Sequence, residues 1–240
     1  MGKEMSELLL KDLNKKIILK KSSLDDIFKF IIEMDLGEIT FSTSLGQEDQ
    51  VISHFIDLHN LPIEIFTLDT GRLFQESYNL LEKNRKLFKK KIKVFFPNNK
   101  KIEQLVSEKG PNSFYNSVSD RKECCFIRKV EPLKRALKNK IIWITGLRKD
   151  QSLNRKNLDF FMYDNTFNII KFNPLLLWSI NDVENYLNVN NVPQNKIHKA
   201  GYASIGCEPC TRPVLDGEDI RSGRWWWETS KKECGLHINK

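Results

Sequence analysis

The chain has 240 residues, of which 40% are hydrophobic and 29% charged, a composition typical of a globular protein with a sizeable core. Its formal net charge of +8 favours an anionic partner, such as a nucleotide, a nucleic acid or an acidic protein. Because no apolar run approaches the roughly 20 residues that cross a bilayer and no secretory signal is recognisable, we expect a soluble cytoplasmic protein with reduced thiols.

Strands and helices are predicted to alternate through the first part of the chain. The predicted strands, the second including its following turn, are 38–44, 61–71, 91–97 and 140–146. The predicted helices are 22–37, 48–60, 72–88, one near 99–109, and 125–139. Ser23 and Asp26 indicate a capping box at the first of these helices, and Gly37 indicates its end. The alternation is typical of an α/β fold whose parallel sheet is covered by helices on both faces.

A hairpin and a last helix are predicted after the fourth strand. Residues 160–174 form two short strand patterns around a turn at Asp164–Asn165, and 179–192 form a helical pattern capped by Ser179. Ligands of parallel sheets bind beyond the carboxyl ends of the strands. The candidate binding loops at such ends are Ser42 to Gly46, Asp69 to Gly71 and Gly146 to Arg148.

The hydrophobic periodicity ends at about Gly201. The residues that follow are rich in glycine, cysteine, arginine and tryptophan, and they lack the pattern of a core-forming element. We expect this part of the chain to wrap over the sheet and to carry function. The predicted organisation is therefore an α/β nucleotide-binding domain over 1–200 and a C-terminal segment over 201–240, with two small domains as the alternative.

Four of the five cysteines form two pairs, Cys124–Cys125 and Cys207-x-x-Cys210. With reduced thiols, such pairs indicate a four-thiolate site that holds either zinc or an iron–sulfur cluster. Adjacent cysteines fit one zinc ion poorly, whereas neighbouring thiolates can reach two corners of a cubane, so the spacing favours a [4Fe–4S] cluster. The alternative is unliganded core cysteines, which suits Cys125 on its helix better than Cys207 in a Gly/Pro-rich loop.

The fifth cysteine, Cys234, lies close to Lys231, Lys232 and His237 in the sequence. Nearby cations lower the pKa of a thiol and favour the thiolate, which is the nucleophilic form. Cys234 is therefore a candidate nucleophile, and an inert terminal cysteine is the alternative.

Candidate anion-binding groups lie at several loops. The stretch STSLGQED at 42–49 resembles a phosphate-cradling turn, with a plain strand-to-helix turn as the alternative. Its lack of a Walker A lysine argues against a P-loop NTPase. Basic side chains that suit phosphate or sulfate oxygens, each also consistent with an ordinary surface position, are Arg128, Lys129, Arg148, Arg155, Arg221 and Arg224. The three tryptophans at 225–227 suit either the core or a stacking surface.

Six stretches of the chain resemble, in order, motifs of the assimilatory adenylylsulfate reductases, which belong with the phosphoadenylylsulfate reductases. They are LDTGRLF (68–74), ECCFIRKVEPLKRAL (123–137), WITGLRKDQS (143–152), GYASIGCEPCTRPV (201–214), RSGRWWWE (221–228) and KECGLH (232–237). The resemblance runs from about residue 38 to 237. It implies a Rossmann-like fold of the adenine-nucleotide α-hydrolase type with a mobile C-terminal tail.

The resemblance also implies an activity. In this family the C-terminal cysteine, here Cys234, attacks the sulfur of the sulfonucleotide, displaces AMP and becomes an S-sulfocysteine, from which thioredoxin or glutaredoxin releases sulfite. Members with the double cysteine pair hold a [4Fe–4S] cluster, here through Cys124, Cys125, Cys207 and Cys210. The chain therefore resembles the cluster-bearing branch that reduces adenylylsulfate, of which some members also accept phosphoadenylylsulfate (PAPS).

Clustered cations would stabilise the charge that builds on phosphosulfate oxygens as AMP leaves. We expect contacts to the sulfonucleotide from Arg128, Lys129, Arg148, Arg155, Arg221, Arg224 and His237. We expect the nucleotide-holding loops to use Ser42, Ser44, Gly46, Asp69 and Thr70. Because no thioredoxin-like domain is recognisable, the reductant is expected to be a separate protein.

Two other classes of function compete with this interpretation. A zinc-stabilised nucleic-acid binder predicts zinc, salt-sensitive affinity for DNA or RNA and no need for Cys234. An ATP-using ligase on the same fold would need a loop like SGGxDS, which 42–48 does not provide. We favour the reductase, acting in sulfate assimilation toward cysteine, with neither nucleic acid nor membrane as partner. The sequence specifies no oligomeric state.

Overall fold

The computed structural model describes residues 3–19, 23–151 and 155–228. Its α-helices are α1 Lys3–Leu19, α2 Leu24–Glu33, α3 Gln47–Leu58, α4 Gln75–Leu87, α5 Asn99–Lys109, α6 Val118–Cys125, α7 Glu131–Ala136 and α8 Ile180–Val189. Its strands are β1 Ile39–Thr43, β2 Glu64–Leu68, β3 Ile92–Phe95, β4 Ile142–Ile144, β5 Phe161–Asp164 and β6 Ile169–Phe172. The predicted alternation of strands and helices is thus confirmed. None of the described helices is both long and apolar enough to span a membrane.

The strands form a sheet in the order β3-β2-β1-β4-β6-β5. β4 pairs in parallel with β1 and with β6, with Trp143 opposite Thr40 on one side and Lys171 on the other. β5 and β6 form the predicted antiparallel hairpin. Because β2 lies on one side of β1 and β4 on the other, the strand order reverses at β1, and open α/β sheets bind ligands at such a switch point.

The central strands are buried on consecutive residues. Thr40 and Phe41 of β1 are both fully buried, and so are Ile142, Trp143 and Ile144 of β4. Since successive side chains of a strand point to opposite faces, consecutive burial means that both faces of the sheet are covered here. This confirms the predicted coverage for the centre of the sheet.

Both predicted serine caps are present. The Ser23 hydroxyl accepts from the Asp26 backbone N–H at 3.1 Å, and the Asp26 carboxylate accepts from the Ser23 backbone N–H, which completes the capping box of α2. Ser179 and Asp182 form the same reciprocal pair at the start of α8.

The first helix, α1, has no counterpart among the predicted elements. It buries Leu10, Leu13 and Ile17, which are spaced at about one helical turn. Its Asn14 side chain binds the main chain of Phe161 in β5 at both polar groups: Nδ2 donates to the carbonyl and Oδ1 accepts from the N–H, each at 2.9 Å. The amide of Asn14 therefore takes the place of a neighbouring strand residue at this edge of the sheet.

The helix predicted over 125–139 begins earlier than expected. Ser117 caps α6, its hydroxyl accepting from the Asp120 backbone N–H at 3.0 Å, so the helix starts at Val118. One turn of π-helix, Phe126–Val130, then joins α6 to α7. The polar first turn of α6 lacks the apolar periodicity on which the predicted boundary depended.

Contacts divide the described residues into two compact units. The first comprises those of Met1–Thr43, Gln47–Ile65 and Asn139–Val192. Its core contains Phe28, which stacks on Phe55 with ring centroids 4.9 Å apart. The second comprises those of Ser44–Gly46, Phe66–Lys138 and Pro193–Lys240. Its core is a cluster of Leu105, Phe114, Trp225 and the four paired cysteines.

Residues 201–228 contribute to the core of the second unit, although their sequence lacks the pattern of a core-forming element. Cys207, Cys210 and Trp225 are buried in the core of the second unit. They are placed by short turns, and turns leave no periodic signal in the sequence. The mobile tail predicted for the end of the chain falls on residues 229–240, which lie outside the described residues.

Candidate active site

The first cysteine pair lies on one face of the helix that runs through α6 and the π-helical turn. Arg121, Cys124, Cys125 and Arg128 occupy positions i, i+3, i+4 and i+7, and all four are buried. Residues at this spacing form a single stripe on a helix. Two adjacent cysteines and two arginines are therefore presented in the same direction.

The second cysteine pair lies in the turn of 3₁₀-helix Glu208–Cys210. The Cys210 N–H donates to the Cys207 carbonyl at 3.0 Å, and the Glu208 N–H donates to the Arg72 carbonyl at 2.9 Å. Pro209 lies at the start of this turn, where its missing N–H costs no hydrogen bond. The turn is thereby fixed to the loop that follows β2.

The four cysteines line one pocket of the second unit. The other residues that line it are Arg72, Phe114, Arg121, Arg128, Lys129, Pro209 and Trp225. All four cysteines are free thiols. Among the described residues, no three histidine, cysteine or acidic side chains converge closely enough to hold a single metal ion. Four buried free thiols at one pocket are a donor set of the kind that holds an iron–sulfur cluster or a zinc ion.

The thiols that line the pocket have pKa values shifted in different directions. Burial raises the pKa of Cys207, but the nearby Lys129, the Thr70 hydroxyl and two arginines outweigh it, and the pKa is lowered. The Thr70 Oγ1 lies 3.3 Å from Cys207 Sγ, so its hydroxyl can donate to the thiolate. Burial raises the pKa of Cys210 to about 12 and also raises that of Cys124. The cations thus favour the thiolate most strongly at Cys207.

The loop after β2 forms a tight turn around Asp69 and Thr70, both buried. Asp69 Oδ1 accepts from the Gly71 N–H at 2.7 Å and from the Tyr78 hydroxyl at 2.9 Å. Arg128 Nη1 donates to the Thr70 carbonyl at 2.7 Å. The turn is therefore linked to the cysteine helix, and its predicted role in holding the nucleotide stays a prediction.

In the first unit, the carboxyl ends of β1 and β4 meet at the switch point of the sheet. The Trp143 indole N–H donates to the Ser42 hydroxyl at 2.7 Å. A Cβ atom on Gly146 would lie 2.3 Å from Asp49 Oδ1, so only glycine allows this close approach of α3 to the end of β4. The geometry places Ser42 where ligands of such sheets bind.

Arg148, predicted to bind substrate, is buried and held by the protein itself. Its Nη2 lies 2.9 Å from Glu48 Oε1, and its Nη1 donates to the Trp178 carbonyl at 3.1 Å. Gln151 also donates to Glu48 Oε1, at 2.8 Å, and accepts from Arg155. Arg148 thus joins the loop after β4 to the start of α3, and its predicted contact with substrate stays a prediction.

The remaining predicted site residues lie in several different places. Arg224 is buried, donates to the Ile205 carbonyl at 3.1 Å and lies over the Trp225 ring. Arg221 is half-buried. Ser44 and Gly46 belong to the second unit. Cys234 and His237 lie outside the described residues.

Residues 38–213 match the family described as the phosphoadenosine phosphosulfate reductase domain. The chain belongs to the phosphoadenosine phosphosulfate reductase family. An adenosine 5'-phosphosulfate reductase of Agrobacterium fabrum is 47% identical over 203 residues, which cover 84% of this chain and 78% of that protein. Another, from Burkholderia cepacia, is 43% identical over 235 residues, 98% of this chain and 94% of that protein.

The fold agrees with a solved structure of the phosphoadenosine phosphosulfate reductase family. The crystal structure of phosphoadenylyl-sulfate (PAPS) reductase from Candida auris, a phosphate complex, superimposes with a TM-score of 0.74 at 25% identity, covering 89% of this chain and 98% of that chain. The predicted α/β fold and the predicted family are thus confirmed.

Five residues that line the cysteine pocket of this reductase-family chain were not predicted as site residues: Arg72, Phe114, Arg121, Pro209 and Trp225. Arg121 could have been found from its spacing, because it lies one helical turn before Cys124 and Cys125. Trp225 was left open between core and surface, and it is 1% exposed. Arg72 carries no such signal, because its position depends on how the turn after β2 folds.

Proposed function

We propose that the chain reduces adenylylsulfate to sulfite and AMP in cytoplasmic sulfate assimilation toward cysteine, with Cys234 as the nucleophile. The observation that carries the proposal is the pocket of four buried cysteines lined by Arg72, Arg121, Arg128 and Lys129. Relatives named adenosine 5'-phosphosulfate reductase, 43–50% identical to this chain, support the choice of substrate. Neither a nucleic acid nor a membrane takes part in this reaction.

The proposed reaction has two steps. The Cys234 thiolate attacks the sulfur of adenylylsulfate, the bond from that sulfur to the bridging oxygen breaks, and its electron pair leaves with AMP. The enzyme is then an S-sulfocysteine. A thiolate of thioredoxin or glutaredoxin attacks Cys234 Sγ and sulfite departs with the bonding electrons. The second thiol of the reductant resolves the mixed disulfide, so the reductant is oxidised and the Cys234 thiolate is restored.

Cys124, Cys125, Cys207 and Cys210 would hold a [4Fe–4S] cluster in this proposal. When bound, the cluster supplies a fixed charge and a structural anchor rather than the electrons, which come from the external dithiol. Lys129 is buried at the same pocket and lowers the pKa of Cys207. We assign Lys129 an electrostatic role in binding the sulfonucleotide.

The predicted substrate-binding residues remain part of the proposal. In it, residues 1–200 would bind the nucleotide and residues 201–240 would carry the reacting thiol. The second candidate substrate is PAPS, reduced by the same mechanism. The solved PAPS reductase of Candida auris, with the same fold at 25% identity, is the observation that favours it.

The proposal is tested by measuring sulfite release from oxygen-free protein and reduced thioredoxin, with adenylylsulfate and PAPS in parallel. We expect faster turnover of adenylylsulfate, and Cys234→Ser should bind nucleotide but release neither AMP nor sulfite. Cys207→Ser serves as the second variant, and it should lose iron as well as activity. Absence of sulfite from both substrates, with the iron content intact, would refute the reductase assignment.

A further inference from the structure

Lys171 and Asp164 form a buried ion pair in the β5–β6 hairpin of the first unit. Only 2% of each side chain is exposed. Lys171 lies opposite Met162 in the antiparallel register, and Asp164 lies two residues farther along β5. Because residues two apart on a strand share a face, the two charged side chains lie diagonally on the same face of the sheet. The register of the hairpin therefore brings the ammonium group and the carboxylate together.

Such a pair is uncommon in the interior of a sheet, where lysine and aspartate are almost never fully buried. Both groups lose their hydration on burial. Two apolar side chains of the same volume would stabilise the interior equally well or better. Stability therefore does not by itself explain a lysine at this position, and the surroundings of its ammonium group indicate a second role.

The ammonium group of Lys171 lies over the indole ring of Trp143. Trp143 of β4 is opposite Lys171 of β6 in the parallel register, so both side chains leave the same face of the sheet. Lys171 Nζ is 4.8 Å from the centroid of the ring, which is a cation–π distance. This attraction is strongest for tryptophan and for pairs from which water is excluded. The cation therefore holds the face of the indole.

The carboxylate of Asp164 supports the same ring by two routes. Its Oδ2 pairs with the ammonium group of Lys171. Its Oδ1 accepts from the backbone N–H groups of Thr166 at 2.9 Å and Phe167 at 3.1 Å, which fixes the hairpin turn. The Phe167 ring meets the Trp143 ring edge to face, with centroids 5.6 Å apart and planes at 83°. One carboxylate thus positions both groups that hold the indole.

The orientation of the indole sets the direction of its N–H. This group donates to Ser42 Oγ at 2.7 Å, at the end of β1, where the strand order reverses. A hydrogen bond weakens steeply when its angle departs far from linearity, so rotation of the ring would release the hydroxyl. Ser42 is one of the side chains proposed to hold the nucleotide. A continuous chain of contacts in the first unit therefore leads from Asp164 to this hydroxyl.

We propose that Lys171, held in place by Asp164, is a positioning residue for nucleotide binding that acts through Trp143 on the Ser42 hydroxyl. The inference rests on the proposed function, in which Ser42 contacts the sulfonucleotide. It predicts that removal of the ammonium group weakens the binding of adenylylsulfate and AMP while the chemical step keeps its rate. It also predicts that this loss requires the indole N–H, because a lysine that only stabilised the hairpin would act without it.

The test uses the double variant Asp164→Asn/Lys171→Met, which removes both charges and leaves no unpaired charge in the interior. The same two changes are made in Trp143→Phe, which keeps an aromatic ring but has no N–H donor. Lys171→Gln is the second variant, and it gives the same comparison if the double variant does not fold. AMP affinity, KM and kcat for adenylylsulfate with reduced thioredoxin, and urea unfolding are measured for each protein.

The matched control is Lys140→Met. Lys140 forms an ion pair with Glu38, at 2.6 Å, in the same unit of the protein. It lies just before β4, at the end of the strand opposite to the ligand-binding loops. The control therefore removes a lysine from an ion pair without touching the contacts of Trp143.

We expect AMP to bind about three- to tenfold more weakly to the double variant, with KM for adenylylsulfate raised to match and kcat changed by less than about twofold. In the Trp143→Phe background the same changes should alter the free energy of unfolding but not AMP affinity. Lys140→Met should keep the affinity of the parent. Parent-like affinity of the double variant, or an equal loss of affinity in both backgrounds, would overturn the inference. Failure of the parent to bind AMP and to release sulfite would instead refute the proposed function, and this inference with it.

Discussion

The indole N–H of Trp143 donates a 2.7 Å hydrogen bond to the hydroxyl of Ser42, linking β4 to β1 at the switch point of the sheet. Since an indole can only donate, Ser42 uses a lone pair on Trp143, and its own hydroxyl hydrogen can be donated to an acceptor elsewhere. A nucleotide phosphate or ribose oxygen is such an acceptor. Trp143 would then orient Ser42 as a donor to the substrate.

Trp143→Phe should weaken substrate binding without slowing the chemistry. Loss of the indole hydrogen bond is worth about 1 kcal/mol, so we expect KM for adenylylsulfate to rise about two- to tenfold with little change in kcat. Ser42→Ala should raise KM similarly, and the double variant should be no worse than Ser42→Ala alone. Additive effects of the two substitutions would show that Trp143 does not act through Ser42.

Arg148→Met is expected to destabilise the fold. The substitution leaves the carboxylate of Glu48 largely buried and without its arginine, and breaking such a pair costs about 3 kcal/mol. Urea unfolding should show this loss, and Glu48→Gln should show a smaller one, because it retains a hydrogen-bonding amide. A variant with normal stability but a raised KM would instead support the predicted contact between Arg148 and substrate.

The cysteine pocket should bind iron through four thiols and independently of Cys234. Cys125→Ser and Cys210→Ser are expected to lose iron and sulfide, whereas Cys234→Ser should retain the full amount, about four irons per chain for a [4Fe–4S] cluster. Metal and acid-labile sulfide analysis of oxygen-free preparations measures this directly. Recovery of one zinc per chain without sulfide would restore the zinc interpretation.

The Tyr78–Asp69 hydrogen bond should stabilise the protein in a pH-dependent way. Burial, followed by the bond to Asp69, raises the pKa of Tyr78 from 10.0 to about 12. A raised pKa means that the contribution to stability is complete below pH 10 and is lost as the pH rises from 10 to about 12. The difference in unfolding free energy between the parent and Tyr78→Phe should therefore shrink over that interval. A constant difference would contradict this account.

The order of elements was predictable because strand and helix periodicities are local. Ser23 and Ser179 indicate the starts of their helices, because each side chain accepts a hydrogen bond from a backbone N–H only three residues away. The start of α6 was placed too late, since the residues around Asp120 are polar and the helix is stabilised by its cap and its later packing. Helix α1 has only a weak apolar stripe in its sequence. Its hydrogen bond from Asn14 to Phe161 joins residues that are 147 positions apart, so no local pattern predicts it.

The cysteine site was predictable only as a set of residue types. The pairs Cys124–Cys125 and Cys207–Cys210 indicated a four-thiolate site, but nothing local assigns Arg72 or Trp225 to it. Their positions depend on turns that pack against one another although they are more than a hundred residues apart in the sequence. Arg121 was predictable in part. Helical spacing places it on the same face as Cys124 and Cys125, whereas its pairing with Glu228 depends on tertiary structure.

The contact between Asn14 and Phe161 has a consequence for solubility. β5 is the last strand of the sheet, and a bare strand edge offers its N–H and C=O groups to the edge of another molecule. One carboxamide satisfies both main-chain groups of Phe161, and α1 covers the strand with its own bulk. The helix thus shields the sheet from self-association, and a shortened chain that lacks it would be expected to aggregate through β5 even if its chemistry were intact.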